Sequence, residues 1–388
     1  MSQSILFSLF VIFAGAAAVA TLALFARQAL PVAYIVLGGL IGPFGLKLVT
    51  DPGIIRQMSE VGIIFLLFLL GLDLSPQELL HMLRKATLIT VASSLAFAAV
   101  GLSIALAFGF GTLDALLVGA AMMFSSTIIG LKLLPTTALH HQHTGEVIIS
   151  ILLLQDLIAI VILLLLRAFS SGESPLEGLG LLLVGLPLLL GFAFLFERYV
   201  LIRLIRKFDK IREYIFLTAI GWCLLVAELA ALAGLSHEIG AFIAGVALAT
   251  SPIALYIADS LKPLRDFFLV LFFFSLGAGF DLAILVEVLL PALLLAGLML
   301  ALKPWVFRWL LARAGETPKL GLEVGVRLGQ VSEFSLLIVV LALERGLMGR
   351  EAAYLVQAAT LLTFMISTYF VVLNYPSPVA VSDRLRRD

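Results

Sequence analysis

Charge and cysteine are what this sequence has little of. Of its 388 residues, 13% are Asp, Glu, Lys or Arg, and a single residue, Cys223, is cysteine. A water-soluble domain carries roughly 25% charged residues, so an ordinary soluble enzyme is excluded. The 25 basic residues are balanced by 25 acidic ones. That balance excludes a nucleic-acid partner, because phosphate binding needs an excess of positive charge. A lone cysteine excludes a disulfide framework and a Cys-based metal cluster. The N-terminal apolar run reads as a membrane span rather than a cleaved signal, because it passes into a second run and many more follow.

What the chain does have is apolar length. Hydrophobic residues make up 62%, and the mean hydropathy is +1.16. A membrane-crossing helix needs about 20 mostly apolar residues. Runs broken by Pro, Gly or charge fall at 4–26, 31–48, 54–73, 86–109, 112–134, 144–168, 176–202, 212–233, 238–256, 264–279, 282–312, 320–346 and 351–374. The pattern predicts an all-α polytopic membrane protein of about 13 transmembrane helices in a lipid bilayer. With the N-terminus outside, 18 Lys and Arg fall in one set of loops and 5 in the other. Cytoplasmic loops hold the excess, so the N-terminus is expected outside and the tail, including Arg384, Arg386 and Arg387, in the cytoplasm.

A repeat is written into the runs. Phe65–Leu74 (FLLFLLGLDL) and Phe273–Leu282 (FFSLGAGFDL) both close in Gly-x-Asp-Leu, 208 residues apart. Pro43 and Pro252 lie 209 apart, and Ser125-Ser126-Thr127 falls opposite Glu333-Phe334-Ser335 at 208. The offset spans seven helices. An odd number inverts the second copy, so the arrangement is an inverted six-plus-six helix repeat. Such repeats characterise secondary transporters, whose sites lie at the midplane. The expected divisions are 1–175 for the first repeat (dimerisation helices, then core helices), 176–210 for a linker helix, 211–376 for the second repeat and 377–388 for a cytoplasmic tail.

Ionisable groups at membrane depth are costly and point to function. Asp156 lies deepest, in Ile148–Leu166 (IISILLLQDLIAIVILLLL), about ten residues from either end. Gln155 precedes it. Adjacent helical residues point about 100° apart, so Asp156 is the better ligand and Gln155 supports it or meets a neighbouring helix. Ser125, Ser126 and Thr127 interrupt the fifth span, and Gln330, Ser332 and Glu333 interrupt its counterpart. Polar, Gly-interrupted stretches in corresponding halves predict two broken crossing helices whose free backbone groups line a site. Lys303, inside the eleventh span, is placed to pair with Asp156 or Glu333, or to neutralise carbonyls where the broken helices meet. Its alternative is a side chain reaching the interface beside Trp305 and Trp309. His140, His141 and His143 crowd one loop with Glu146 and read as a loop cluster rather than a metal clip. Glu228 reads as a helix–helix contact.

A carboxylate in a dry site resists ionisation unless a cation sits beside it. It therefore holds a proton or a metal cation, one at a time. Carboxylate, carbonyls, hydroxyls and carboxamide form a hard oxygen site, suited to K⁺, Na⁺ or Li⁺. A cation or ligand-gated efflux channel is the alternative of another class. An intramembrane enzyme would need a nucleophile and a base, and no Ser-His pattern lies at membrane depth.

The chain resembles the monovalent cation:proton antiporter-2 family, and within it the glutathione-gated potassium efflux proteins. The stretches that carry the resemblance are LIGPFGLKLVTD (40–51), EVGIIFLLFLLGLDLSPQEL (60–79), Ser125–Thr127, LQDL (154–157), GAFIAG (240–245), LFFFSLGAGFDL (271–282) and GQVSEF (329–334). The resemblance implies the sodium/proton antiporter fold, a homodimer and an elevator-like movement. It implies that Asp156 carries cation or proton, with Ser125, Ser126, Thr127 and Gln155 in the site and Lys303, Gln330, Ser332 and Glu333 supporting it. Gln155 stands where electrogenic sodium exchangers have a second Asp. One titratable acid implies electroneutral exchange, and the Gln-Asp pair leans towards potassium over sodium. The transported ions, K⁺ or Na⁺ and H⁺, are the only ligands expected; no cofactor is. A cytoplasmic nucleotide-binding regulatory domain is an implied partner that lies outside these 388 residues. The loop 251–266 lacks the acidity of glutathione-gated members, so glutathione control is not expected. The implied location is a bacterial inner membrane.

Overall fold

The computed structural model describes residues 5–49, 52–73, 76–134, 143–170, 175–208, 211–233, 235–251 and 253–377. The elements it forms there are helices, the segments that satisfy every backbone group internally when no water is present. First come α1 (Ile5–Phe25), α2 (Leu30–Ile41), α3 (Pro52–Asp73) and α4 (Pro76–Ala107). The short pair α5 (Thr112–Met122) and α6 (Thr127–Lys132) follows, then α7 (His143–Ser170). Helix α8 (Pro175–Phe196) passes through a π-helical turn, Glu197–Leu201, into α9 (Ile202–Lys207). The second series is α10 (Arg212–Leu232), α11 (His237–Ala249), α12 (Ala254–Ala278), α13 (Leu282–Arg313), the pair α14 (Pro318–Arg327) and α15 (Glu333–Glu344), and α16 (Arg350–Asn374). Each apolar run coincides with one of these helices or with two or three in succession. Among the described residues, seven segments are long and apolar enough to cross a membrane, and three further apolar helices are shorter.

The helix bounds set a register between the two series that differs from the sequence anchors. Helices α4 and α13 are both 32 residues long and start 206 apart, at Pro76 and Leu282. Helices α5 and α14 also start 206 apart, as do α6 and α15. Helices α1 and α10 are both 21 residues long and start 207 apart. The Gly-x-Asp-Leu match at 208 is therefore out of step by one or two residues. Thr127, rather than Ser125, stands opposite Glu333, and both are first residues of a helix after a break. Helix ends are governed by caps and breaks, which a two-residue identity does not sense.

The chain forms two compact units that interleave in sequence. One comprises Met1–Ala16, Tyr34–His81 and Leu164–Gly279; the other comprises Ala17–Ala33, Met82–Leu163 and Phe280–Asp388. Each draws from both halves of the chain, whereas the boundaries expected at 175 and 211 follow the chain order.

In the first unit, α3 packs on α11 and α12, and the crossings are made by backbone. A Cβ at Gly245 would press on Phe68 O and lie 2.8 Å from Leu72 N; one at Gly38 would press on Phe274 O and lie 2.7 Å from Ala278 N. The contacted residues keep the 206-residue register, Phe68 with Phe274 and Leu72 with Ala278. Small residues allow such approach where lipid offers no hydrophobic drive between helices. Around these crossings, Phe65 stacks on Phe268 at 5.0 Å and Phe196 on Trp222 at 5.4 Å. The Trp222 indole donates to Ala244 O at 3.0 Å. Glu197, in the π-helical turn, is buried and was not singled out in the sequence, where it reads as the end of a span.

Gly245→Ala should lower the thermal stability of the purified protein by roughly 1–3 kcal/mol, the range for an overpacked contact. Gly191→Ala, at a position with nothing within 4 Å, should leave it unchanged. A melting comparison of the two variants checks this.

Candidate cation and proton site

The second unit contains both interrupted helix pairs. Each break frees N–H and C=O groups that a helix would otherwise use internally. In apolar surroundings each such group needs a partner, and their partners can be accounted for one by one.

On the carbonyl side of the first break, Ser335 Oγ donates to Ala121 O. Met123 O accepts from Ser94 Oγ at 3.4 Å and from Gln155 Nε2 at 3.3 Å, and Phe124 O accepts from Lys303 Nζ at 2.9 Å. On the carbonyl side of the second, Ser125 Oγ donates to Leu328 O at 2.9 Å and Lys303 Nζ to Gln330 O at 2.8 Å. The N–H groups are met in turn. Ser125 N donates to Gln155 Oε1 at 2.9 Å, Ile128 N to Glu333 Oε1 at 3.1 Å and Ile129 N to Ser126 Oγ at 3.1 Å. Val331 N donates to Thr363 Oγ1 at 3.0 Å, and Phe334 N to Ser332 Oγ at 3.0 Å. The two breaks are also tied to each other, because Gln330 Nε2 donates to Ser126 O at 3.4 Å while its Oε1 accepts from Ser367 at 2.8 Å.

Lys303 is the hub. It is 0% exposed and reaches from α13 to a carbonyl of each break, with a third bond to Ser125 Oγ at 3.1 Å. Phe97, its counterpart in the 206-residue register, lies under the ammonium at 5.3 Å. Of the two buried roles open to Lys303 in the sequence, the structure shows the carbonyl one. Nor does the side chain reach the interface. A cation belongs at the carbonyl ends of half-helices and an anion at the N–H ends, and Glu333 occupies the latter.

Asp156, on α7, is 1% exposed. Thr127 Oγ1 lies 3.1 Å from its Oδ2 and 3.3 Å from its Oδ1. Among the described residues it has no ion-pair partner. Gln155, its neighbour in sequence, faces the first break and holds its backbone on both sides. Its carboxamide is a clamp there, as the roughly 100° between adjacent helical side chains requires. Ser332 serves as the cap of α15. Of the nine residues singled out for the site in the sequence, Ser125, Ser126, Gln155, Lys303, Gln330 and Glu333 bond to the breaks or between them, Thr127 bonds Asp156, and Ser332 caps α15.

The other candidates lie elsewhere. His143 is paired with Glu316 at 2.9 Å and Glu146 at 3.4 Å, while His140 and His141 lie outside the described residues. Glu228 is exposed and pairs with His237 at 3.2 Å, a contact between α10 and α11 away from the network. Of the tail, residues 378–388 lie outside the described residues. Sequence reasoning passed over Ser94, Thr363 and Ser367, which close the network from α4 and α16. A cluster of hydroxyls in the middle of α16, at Thr360, Thr363, Ser367 and Thr368, was the available signal.

Two interrupted helix pairs tied to each other through Ser125 and Gln330 belong to a membrane protein of the sodium/proton antiporter fold. The solved structure of the sodium proton antiporter MjNhaP1 from Methanocaldococcus jannaschii superposes with a TM-score of 0.68, covering 93% of this chain and 94% of that one at 19% identity. Residues 9–373 match the family described as sodium/hydrogen exchanger, transmembrane, and the chain belongs to that family. Among its relatives are the glutathione-regulated potassium-efflux system protein KefC of Salmonella heidelberg (strain SL476), 32% identical over 88% of this chain and 56% of KefC, and K(+) efflux antiporter 6 of Arabidopsis thaliana, 29% identical over 91% and 60%. The chain spans little more than half the length of these relatives.

Lys303→Met removes three hydrogen bonds from a charged donor, each contributing roughly 1.5–3 kcal/mol. Part of that loss is offset because a charge no longer has to be buried. The variant should unfold at a lower temperature, with a net loss of about 2 kcal/mol or more. An unchanged melting curve would show that Lys303 does not hold the breaks together.

Proposed function

We propose that this protein is a secondary active transporter, an electroneutral potassium:proton antiporter in which Asp156 carries either ion. The observation that carries the reading is an acid without a counter-ion. Asp156 is buried and has one hydroxyl beside it, while the buried Lys303 is engaged by two carbonyls and the Ser125 hydroxyl. A lone carboxylate in such a place is neutral in two ways only, by holding a proton or by holding a cation. Loading one therefore requires losing the other, and that competition is exchange. Thr127 supplies a hydroxyl oxygen to the same site, while Gln155 acts through the backbone it clamps.

Potassium is favoured because the relatives' names assign potassium efflux to them. Alternating access by an elevator-type movement is supported by the site network lying entirely within one compact unit, as a carrier that moves as a body requires. The matching helix lengths and glycine crossings at 206–207 residues support the inverted repeat and thirteen crossings, and the 18-to-5 split of Lys and Arg between the loops supports an outside N-terminus. A homodimer in a bacterial inner membrane, working with a cytoplasmic nucleotide-binding domain in a longer protein, follows from the family resemblance.

In proteoliposomes loaded with a pH-sensitive dye and clamped at zero membrane potential, K⁺ and Rb⁺ gradients should drive proton movement faster than Na⁺ or Li⁺. Asp156→Asn should abolish it while leaving the protein folded. Preference for Na⁺ would turn the reading to sodium:proton exchange, unitary currents would make it a channel, and full activity of the variant would remove Asp156 from the carrier role.

A further inference from the structure

Glu333 is more than the support expected of it. It is 4% exposed and lies at the start of α15, with its Oε1 on Ile128 N at 3.1 Å. The hydroxyl of Ser126 and the N–H of Thr127 lie alongside the same carboxyl. Its Oε2 is buried and has no hydrogen-bond partner among the described residues. A buried carboxylate oxygen without a partner is expensive to keep, and buried polar groups without partners are rare enough to require a reason. Here the reason is supplied by position. Glu333 is close enough to Asp156 for the two carboxyl groups to interact electrostatically, and Thr127, whose hydroxyl touches Asp156, is the residue before the amide that Glu333 holds.

We infer that Glu333 is a direct cation ligand, its free Oε2 joining Asp156 and the Thr127 hydroxyl in a two-carboxylate site. This rests on the reading of Asp156 as the exchanging acid and adds a second residue to it. Charge accounting supports the assignment. With the proton bound, Asp156 is neutral, and the buried network holds one further carboxylate, Glu333, and one ammonium, Lys303, which is bonded to carbonyls and the Ser125 hydroxyl rather than to Glu333. With the metal bound, two carboxylates face one alkali cation and the same Lys303 charge. Both loaded states of the buried network are neutral, so one proton leaves for each cation that enters and no net charge moves. Hard oxygen donors of this kind suit an alkali cation.

The test uses the full chain in proteoliposomes, with K⁺ as the probe and proton movement as the readout. Glu333→Gln keeps an oxygen for Ile128 N and removes the anionic ligand. The apparent KM for K⁺ should rise roughly tenfold or more, the equivalent of about 1.4 kcal/mol. The pH midpoint of transport at fixed K⁺ should shift with it, because cation and proton compete for the same acid. A residue that only braces α6 would change the amount of folded protein or the maximal rate and leave both of those values where they were; that result overturns the inference. Should E333Q fail to purify as folded protein, Glu333→Asp carries the test. It keeps the charge and draws the oxygen back by one methylene, so KM should rise; an unchanged KM overturns the inference. Asp156→Asn separates the two claims. Its inactivity beside an unaffected E333Q removes Glu333 alone, and its activity removes the reading on which both depend.

Discussion

Two interrupted helices in an apolar interior leave backbone groups that must be answered by something other than water. The rest of the second unit follows from that requirement. Carbonyl ends gather Lys303, Ser94, Ser335 and the carboxamide N–H of Gln155. Amide ends gather Glu333, Ser126, Ser332, Thr363 and the carboxamide oxygen of Gln155. Most polar side chains around the breaks are thereby committed to a backbone group. Asp156 has one hydroxyl beside it and, among the described residues, no ion-pair partner, and Glu333 Oε2 is left without a hydrogen-bond partner.

The same constraint explains why the two charged supports are distributed as they are. An ammonium against carbonyls and a carboxylate against amides each lower the cost of burying the other, since both oppose half-helix dipoles of the fitting sign. At the 206-residue spacing of the helix starts, Lys303 corresponds to Phe97, Glu333 to Thr127 and Asp156 to Leu362, so charge occupies one member of each pair. The first unit has no comparable polar network among its described residues; its crossings rest on glycine and aromatic packing.

Much of this was legible in the sequence, for physical reasons. Helix positions follow from apolar runs because lipid admits no other segment at that depth. The breaks at Ser125–Thr127 and Gln330–Glu333 were legible because polar residues in an apolar run need an unusual backbone to justify them. Asp156 stood out by depth alone. Other features were not readable. The direction of Gln155 depends on which neighbour lies across from it, and Lys303 had two buried roles that only three-dimensional proximity separates. The sequence anchors at 208 and the helix starts at 206–207 differ by one or two residues, because Gly, Asp and Leu recur in such sequences, whereas helix starts follow caps and breaks. The free oxygen of Glu333 is invisible to sequence, since it is defined by a contact that is not made.

The claim at the centre is that an uncompensated buried carboxyl gives up its proton when a cation arrives. The most direct measurement is to add K⁺ to purified protein in weakly buffered solution and count the protons released per chain. The account predicts a single proton, released with the same K⁺ dependence as transport and missing in Asp156→Asn. Binding of K⁺ without proton release, or undiminished release from the variant, would contradict it.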